Sequence, residues 1–528
     1  QYDLLFERFL NPDRISLPDI DVDFDDDGRG EVLRWVTEKY GQEKVAHIIT
    51  YGTMATKMAI KDVARVQKLP LSESDRLCKL VPDKIPDKKL NLPNAIAYVP
   101  ELQAAEASPD PLVRDTMKYA KMLEGNVRGT GVHACGTIIC RDDITDWVPV
   151  STADDKETGE KMLVTQYEGS VIEDTGLIKM DFLGLKTLSI IKEAVANVRL
   201  HRGLELDIDK ISISDPATYK LYCDGRTIGT FQFESAGMQK YLRELQPSTF
   251  EDLIAMNALY RPGPMDFIPN YIRGKNNADT VTYVTPELQP ILEPTYGCIV
   301  YQEQVMQIVQ QLAGYTMGQA DNIRRAMSKK KQYVIDAERQ SFVYGDSERG
   351  IRGCVANGID EKAANSIYDS MVDFAKYAFN KSHAAAYAVI SVQTAWLKFY
   401  YPVEFMAALM TSVIDNSAKA AEYLLHCKEL GISVLPPDIN VGQGEFTAEG
   451  NAVRYGLYAI KSLGRPVIDS IIGERKKGGS YRTLQDFIER TVQRDINKRA
   501  IENLIKAGAC DGLDGNRHQM SIVYTSIV

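Results

Sequence analysis

Residues 15–28 read Ile15-Ser16-Leu17-Pro18-Asp19-Ile20-Asp21-Val22-Asp23-Phe24-Asp25-Asp26-Asp27-Gly28. From Ile15 to Phe24 the segment alternates, with Ile20, Val22 and Phe24 on one side and Asp19, Asp21 and Asp23 on the other, which is the two-residue period of a strand. Same-face residues on a strand recur about every 6.6 Å, so Asp21 and Asp23 project side by side, with Asp19 and Asp25 farther along the row. Carboxylates this close repel, and beside a packed sheet they must either take up protons or hold cations. Two divalent ions roughly 3.5–4 Å apart, bridged by such carboxylates, are a device for in-line displacement at phosphorus.

That chemistry asks for a third carboxylate on a neighbouring strand. Asp181 fits, because it follows Leu177, Ile178 and Met180 and precedes Phe182-Leu183-Gly184-Leu185, an apolar setting in which an acid is costly unless partnered. Lys179, two positions earlier, shares its strand face. Other readings stay open on the residues alone. A run of aspartates is often a solvated loop, although the alternation with Ile, Val and Phe weighs against it. A calcium-binding loop matches Asp23, Asp25, Asp27 and Gly28 over its first positions, but the position that should hold a bidentate glutamate is Arg34. Asp181 is also readable as a lone buried acid paired with Lys179.

Around this stretch, Val32, Leu33, Val36 and Tyr40 recur at helical spacing and Gly41 ends the run. Residues 54–68, 72–81 and 111–124 read as helices, with a loop between the last two punctuated by Pro82, Pro86, Pro93 and Pro100. Strand character returns at residues 136–140, 163–166 and 176–182. The simplest account is a sheet interrupted by a helical insertion and then resumed. Beyond residue 187 the chain is mostly helical, with turns at Arg261-Pro262-Gly263-Pro264 and Glu293-Pro294-Thr295-Tyr296-Gly297. Leu435-Pro436-Pro437-Asp438 closes that region. A short strand-like patch follows, then two helix-loop-helix candidates around residues 461–464 and 498–508.

A chain of 528 residues is several times the span of one hydrophobic core, which predicts three or four domains. With 44% hydrophobic and 25% charged residues it has an ordinary globular composition, which excludes collagen-like, disordered and coiled-coil classes. Apolar stretches such as 384–390 are soon interrupted by Ser391 and Gln393, far short of the roughly 20 residues a spanning helix needs. Eight cysteines with no CxxC pair suit reduced thiols in a cytosolic compartment, and Cys135 and Cys140 read as strand residues. The net charge of −10 argues against indiscriminate polyanion binding, yet Arg324, Arg325, Lys329, Lys330 and Lys331 crowd one short stretch. On charge pattern alone that stretch is a solvated helix face.

Several long segments now carry a resemblance. They are LLFERFLNPDRISLPDIDVDFDDDGRG (residues 4–30), IITYGTMATKMAIKDVARV (48–66), GLIKMDFLGLKTL (176–188), LYRPGPMDFIPNYIRGK (259–275), EPTYGCIVYQEQVMQI (293–308), NIRRAMSKKK (322–331) and FNKSHAAAYAVISVQTAWLK (379–398). In order and spacing they resemble the bacterial replicative DNA polymerase III alpha subunits of polymerase family C, over essentially the whole chain. The resemblance implies a mostly helical, multidomain α+β protein. Its parts would be a polymerase-beta-like nucleotidyltransferase palm (residues 1–53 and 129–186), a helical thumb (54–128), fingers (187–435) and a tandem helix-hairpin-helix module (436–528). It implies template-directed DNA synthesis in the cytoplasm, with Asp21, Asp23 and Asp181 as the catalytic carboxylates holding two Mg²⁺ ions. One ion would activate the primer 3′-hydroxyl and the other clamp the triphosphate and its leaving group.

Further roles follow from the same resemblance. Lys179 would contact the triphosphate, and Arg324 and Arg325 would clamp its phosphates, for which guanidinium geometry is apt. Arg8 is a further candidate for that contact. Tyr377, Asn380, Lys381, Ser382 and His383 would face the incoming nucleotide, and His133 matches a family histidine whose role is left open. Lys329, Lys330 and Lys331 would contact nucleic-acid backbone. In YGLYAIKSLGRPVIDSI (455–471), Lys461, Ser462 and Gly464 would grip a duplex phosphate, although Ser462 stands where the motif normally has its first glycine. Implied partners are primer-template DNA, dNTPs, a sliding clamp, a clamp loader and a separate proofreading exonuclease, with no membrane. In the family, a phosphoesterase-like domain and a Gly-Ser strand-helix element of the palm precede the part matched here. The chain opens at Gln1 without them, so it reads as an excised piece expected to be weakly active or inactive alone. A noncatalytic duplex-binding scaffold is the alternative function.

Overall fold

The computed structural model describes Leu5 and residues 20–86, 88–155, 159–328, 332–375, 377–491 and 496–527. The alternating acids form β1 (Ile20–Asp25), and a short turn leads into α1 (Arg29–Tyr40). The N–H of Gly28 donates to Asp25 Oδ1 at 2.7 Å, and a Cβ at Gly28 would collide with that carboxylate. Gly41 ends α1 at a φ of 105°, a conformation that a side chain disfavours. The calcium-loop reading fails here, because Asp23 and Asp25 lie in extended strand and Arg34 lies inside α1.

The chain divides into two compact units, one of residues 17–184 and one comprising residues 1–16 and everything from 185 onward. In the first, β2 (Val45–Thr53) precedes five helices: α2 (Thr56–Gln67), α3 (Leu71–Leu80), α4 (Leu92–Tyr98), α5 (Pro100–Glu106) and α6 (Pro111–Leu123). Then come β3 (Val127–Ile139), β4 (Val150–Asp154), β5 (Lys161–Glu168), the short α7 (Gly169–Ile172) and β6 (Lys179–Leu185). The strands form one sheet in the order β1-β6-β3-β2-β5-β4. β3 runs antiparallel to both β2 and β6, β4 antiparallel to β5, and β2 parallel to β5.

The five helices between β2 and β3 close over their own core, which includes Ile60, Leu77, Leu92, Leu102 and Met117. The expected proline-rich loop holds around Pro82 and Pro86, but its second part is two helices. Pro93 and Pro100 occupy the first turns of α4 and α5, where proline is tolerated because those N–H groups have no intrahelical acceptor. Asn91 caps α4 by accepting from the N–H of Asn94 at 2.8 Å.

The second unit is helical. It begins with α8 (Lys186–Arg202), α9 (Pro216–Cys223), α10 (Ala236–Leu245), α11 (Phe250–Leu259), α12 (Ile268–Asn276), α13 (Gln289–Leu292) and α14 (Gln302–Ala313). It continues with α15 (Met317–Ser328), α16 (Gln332–Tyr344), α17 (Glu361–Ala375), α18 (Lys381–Tyr400), α19 (Pro402–Thr411) and α20 (Ser417–Glu429). One core gathers around α14 to α17 and another around α9 to α12 and α18. The strand-like patch after Pro437 joins a three-stranded sheet of β7 (Ser433–Leu435), β8 (Thr447–Glu449) and β9 (Ala452–Arg454). Last come α21 (Arg465–Gly478), α22 (Leu484–Thr491), α23 (Lys498–Ala507) and α24 (Arg517–Ile527), which share a further core. At the second hairpin candidate, Asn497 caps α23 and Gly508, at φ 84°, ends it, and α24 follows the turn. Among the described residues no helix is long and apolar enough to cross a membrane.

Candidate active site

β6 lies between β1 and β3. On the α1 side of the sheet, Phe24 and Phe182 meet edge to face with ring centroids 5.3 Å apart, in a core with Val36 and Val45. Alternate residues of a strand face opposite sides, so this contact places Asp21 and Asp23 of β1 and Lys179 and Asp181 of β6 together on the other face. The strand bearing Asp181 thus stands beside the strand bearing the other two acids.

Asp21 is exposed and Asp23 half-buried, whereas the Asp181 side chain keeps 13% of its surface accessible. Lys179 Nζ donates to Asp181 Oδ2 at 2.8 Å. Asp181 Oδ1 is buried and has no hydrogen-bond partner among the described residues. The pairing with Lys179 therefore satisfies only half of the carboxylate. A bare buried oxygen anion is a costly arrangement that a cation relieves, and three carboxylates on one face are an all-oxygen donor set that suits Mg²⁺.

The neighbouring part of β3 is irregular. His47 pairs with Thr137 and Ile49 with Val132, so Ile48 alone in β2 faces residues 133–136 of β3. Such bulges re-aim side chains. Here His133 Nδ1 accepts from the N–H groups of Gly136 at 2.8 Å and Cys135 at 3.3 Å, which fixes the ring inside the bulge. A Cβ at Gly136 would press on that ring and on Ile48. Gly136 in turn pairs with Asp181. Burial, and then the Asp181 carboxylate beside it, push the Cys135 thiol pKa above its ordinary value.

Arg29 was not among the expected site residues. Its Nε donates to the carbonyl of Phe182 at 2.6 Å and its terminal nitrogen to the carbonyl of Ala134, so one guanidinium ties α1 to β6 and to the bulge. Burial, followed by the Arg29 charge, holds the His47 imidazole below its usual range. The available sequence signal was an arginine set directly behind an acidic run.

In the second unit, Arg324 and Arg325 lie on α15. Both bind Asp321, which is fully buried: Arg324 Nε donates at 3.2 Å and Arg325 Nε at 2.7 Å. Arg324 is itself buried and Arg325 partly exposed, which rules out a solvated face for Arg324. Asn380 caps α18 by accepting from the N–H of Ser382 at 3.0 Å and from its hydroxyl. The N–H of Lys381 donates to the buried carboxylate of Glu303 at 3.0 Å, so this helix end already faces an anion of the protein. Tyr377 and His383 are exposed, and the His383 ring lies 4.2 Å from that of Tyr387. Arg8, Lys329, Lys330 and Lys331 lie outside the described residues.

In the hairpin before α21, Lys461, Ser462 and Gly464 are all exposed. Ser462 has φ 64°, so it adopts the left-handed conformation usually left to glycine. The turn keeps its shape and carries the strain instead. Gly464 caps α21.

Comparison with known proteins gives three matches along the chain. Residues 1–184 match the bacterial DNA polymerase III alpha NTPase domain, residues 187–350 the bacterial DNA polymerase III alpha subunit finger domain, and residues 431–520 a helix-hairpin-helix motif. A DNA polymerase III subunit alpha of Thermus aquaticus is 45% identical over 98% of this chain and 42% of its own length. That of Borreliella burgdorferi is 44% identical over 98% of this chain and 44% of its own, and that of Pasteurella multocida 45% over 99% and 45%. The chain therefore spans less than half the length of these relatives, and over that span it belongs to the bacterial DNA polymerase III alpha subunit family.

Proposed function

We propose that this chain carries the nucleotidyl-transfer centre of template-directed DNA synthesis in chromosomal replication. In this reading the six-stranded sheet is the palm, α2 to α6 the thumb, α8 to α20 the fingers, and α21 to α24 the duplex-binding helix-hairpin-helix module. The observation that carries it is the bare, buried Oδ1 of Asp181 on the sheet face shared with Asp21 and Asp23. These three side chains would hold two Mg²⁺ ions, whose chemistry is to activate a primer 3′-hydroxyl and to stabilise the departing pyrophosphate. Lys179 offsets negative charge at Asp181 and offers an ammonium to a triphosphate. Arg29 holds β6 and the bulge at fixed spacing. Arg325, the more accessible of the pair on α15, offers a guanidinium to phosphate while Asp321 orients it. Exposed Tyr377 and His383 present rings on which a base can stack, and the hairpin at Lys461 presents backbone to a duplex phosphate.

The test is primer extension with Mg²⁺ and dNTPs by the chain, its Asp21→Ala/Asp23→Ala variant and its Asp181→Asn variant. The reading expects weak templated incorporation that both variants lose, with duplex binding retained in a gel-shift assay. Mn²⁺ binding followed by electron paramagnetic resonance supplies a readout independent of turnover, and both variants should weaken it. Equal incorporation and equal Mn²⁺ affinity in all three proteins would leave only the duplex-binding scaffold.

A further inference from the structure

We propose that His133, Cys135 and Asp181 form a binding site for a thiophilic divalent cation of the Zn²⁺ class, built on the β3 bulge and sharing Asp181 with the carboxylate site. One donor atom from each residue lies within 4.8 Å of the other two. Modest side-chain rotations bring that spread to tetrahedral coordination, with a fourth position left to solvent. Imidazole nitrogen, thiolate sulfur and carboxylate oxygen are together the donors that Zn²⁺ and Co²⁺ take, whereas Mg²⁺ prefers oxygen alone.

Two independent features prepare the site. The bulge sets His133 and Cys135 against each other, with Cys135 Sγ 3.6 Å from His133 Nδ1, directly before the residue that pairs with Asp181. Asp181 supplies the second feature, since Lys179 occupies only Oδ2 and leaves the buried Oδ1 to a cation. On binding, the Cys135 S–H bond breaks, a sulfur–metal bond forms and the proton leaves to solvent. His133 exchanges the backbone N–H groups it now accepts from for the ion. Such an ion takes Asp181 out of the ligand set proposed for Mg²⁺, so it antagonises catalysis by competition. That consequence rests on the nucleotidyl-transfer reading, but the binding itself does not.

Co²⁺ titration of the chain, followed by thiolate-to-cobalt charge-transfer absorption, tests the site. The band should appear in the wild type and in Asp21→Ala/Asp23→Ala, and vanish in Cys135→Ser. Asp181→Asn and His133→Ala should each weaken Co²⁺ binding by about tenfold or more. Circular dichroism confirms that each variant is folded, and a Co²⁺-induced rise in the wild-type unfolding midpoint supplies a readout that needs no variant. A wild type without the band, or a band unchanged in Cys135→Ser, overturns the site. In primer extension, Zn²⁺ should lose about tenfold or more of its inhibitory potency in Cys135→Ser, and equal potency overturns the competition. A wild type that extends no primer counts against the polymerase reading alone, because the absorption experiment still decides the metal site.

Discussion

The ammonium of Lys179 lies 2.8 Å from Oδ2 of Asp181 on one face of β6, and the other oxygen of that carboxylate is buried without a partner. In the proposed reading that second oxygen is the one a cation would take. Lys179→Met, which keeps the stem and removes the charge, should cost about 1–3 kcal/mol in urea unfolding without divalent ions. Saturating Mg²⁺ should recover more stability in the variant than in the wild type. An identical Mg²⁺ response in both proteins would show that no cation uses this carboxylate.

Asp321 anchors both arginines of α15. Burial pushes its carboxyl pKa up, but the hydrogen bond and charge of Arg324, then those of Arg325, outweigh burial and hold it below the ordinary 3.8. A depressed carboxyl contributes stability above its unfolded value and loses it as pH falls through the folded one. Asp321→Asn should therefore cost about 3–5 kcal/mol at neutral pH, and its difference from the wild type should shrink below pH 3.8. Arg325→Ala should separate the two roles, raising the Kd for a dNTP about tenfold or more at a stability cost smaller than that of Asp321→Asn. Unchanged nucleotide affinity would assign Arg325 to packing alone.

Ser462 holds φ 64° in the exposed hairpin before α21. A left-handed residue with a side chain costs roughly 1–2 kcal/mol, and the added freedom of an unfolded glycine returns part of that. Ser462→Gly should raise stability by about 0.5–1 kcal/mol in denaturant titration and leave duplex binding intact. A loss of stability would mean that the serine hydroxyl supports the turn.

Lys398 is 3% exposed, and its Nζ donates to the carbonyls of Arg226 at 2.8 Å and Ile228 at 2.7 Å. Burial lowers its pKa to about 7, against 10.5 in the unfolded chain. The native state thus binds fewer protons than the unfolded state between those values. The penalty for burying the charge is full below pH 7 and fades as pH rises toward 10.5. From pH 7 upward, wild-type stability should climb relative to Lys398→Met, by at most about 1.4 kcal/mol per pH unit. Parallel stability curves for the two proteins would show that Lys398 stays charged when folded.

The acids were legible because strand alternation fixes a face: Asp21 and Asp23 form a row opposite Ile20, Val22 and Phe24, and Asp181 sits within an apolar run. β2 was not, since Val45, Ala46, Ile48 and Ile49 are all buried and leave no alternation to read. Of β3 only the end from residue 136 was read as strand, and only its pairing with β2 shows that Gly136 gives His133 room. Pro93 and Pro100 signalled breaks because proline ends a helix as readily as it starts one. Arg29 and Glu303 act through partners distant in sequence and on other elements, and local patterns carry no trace of such partnerships.

Arg29 and the Phe182 carbonyl it binds are 153 positions apart. Closing so long a loop carries an entropic cost that contacts within the intervening helices do not share. The five-helix insertion, with a core of its own, can consolidate while the acids at the sheet edge are still waiting for their third member. Nascent chains that end before Asp181 would own Asp21 and Asp23 without it, and would emerge with the proposed site one carboxylate short.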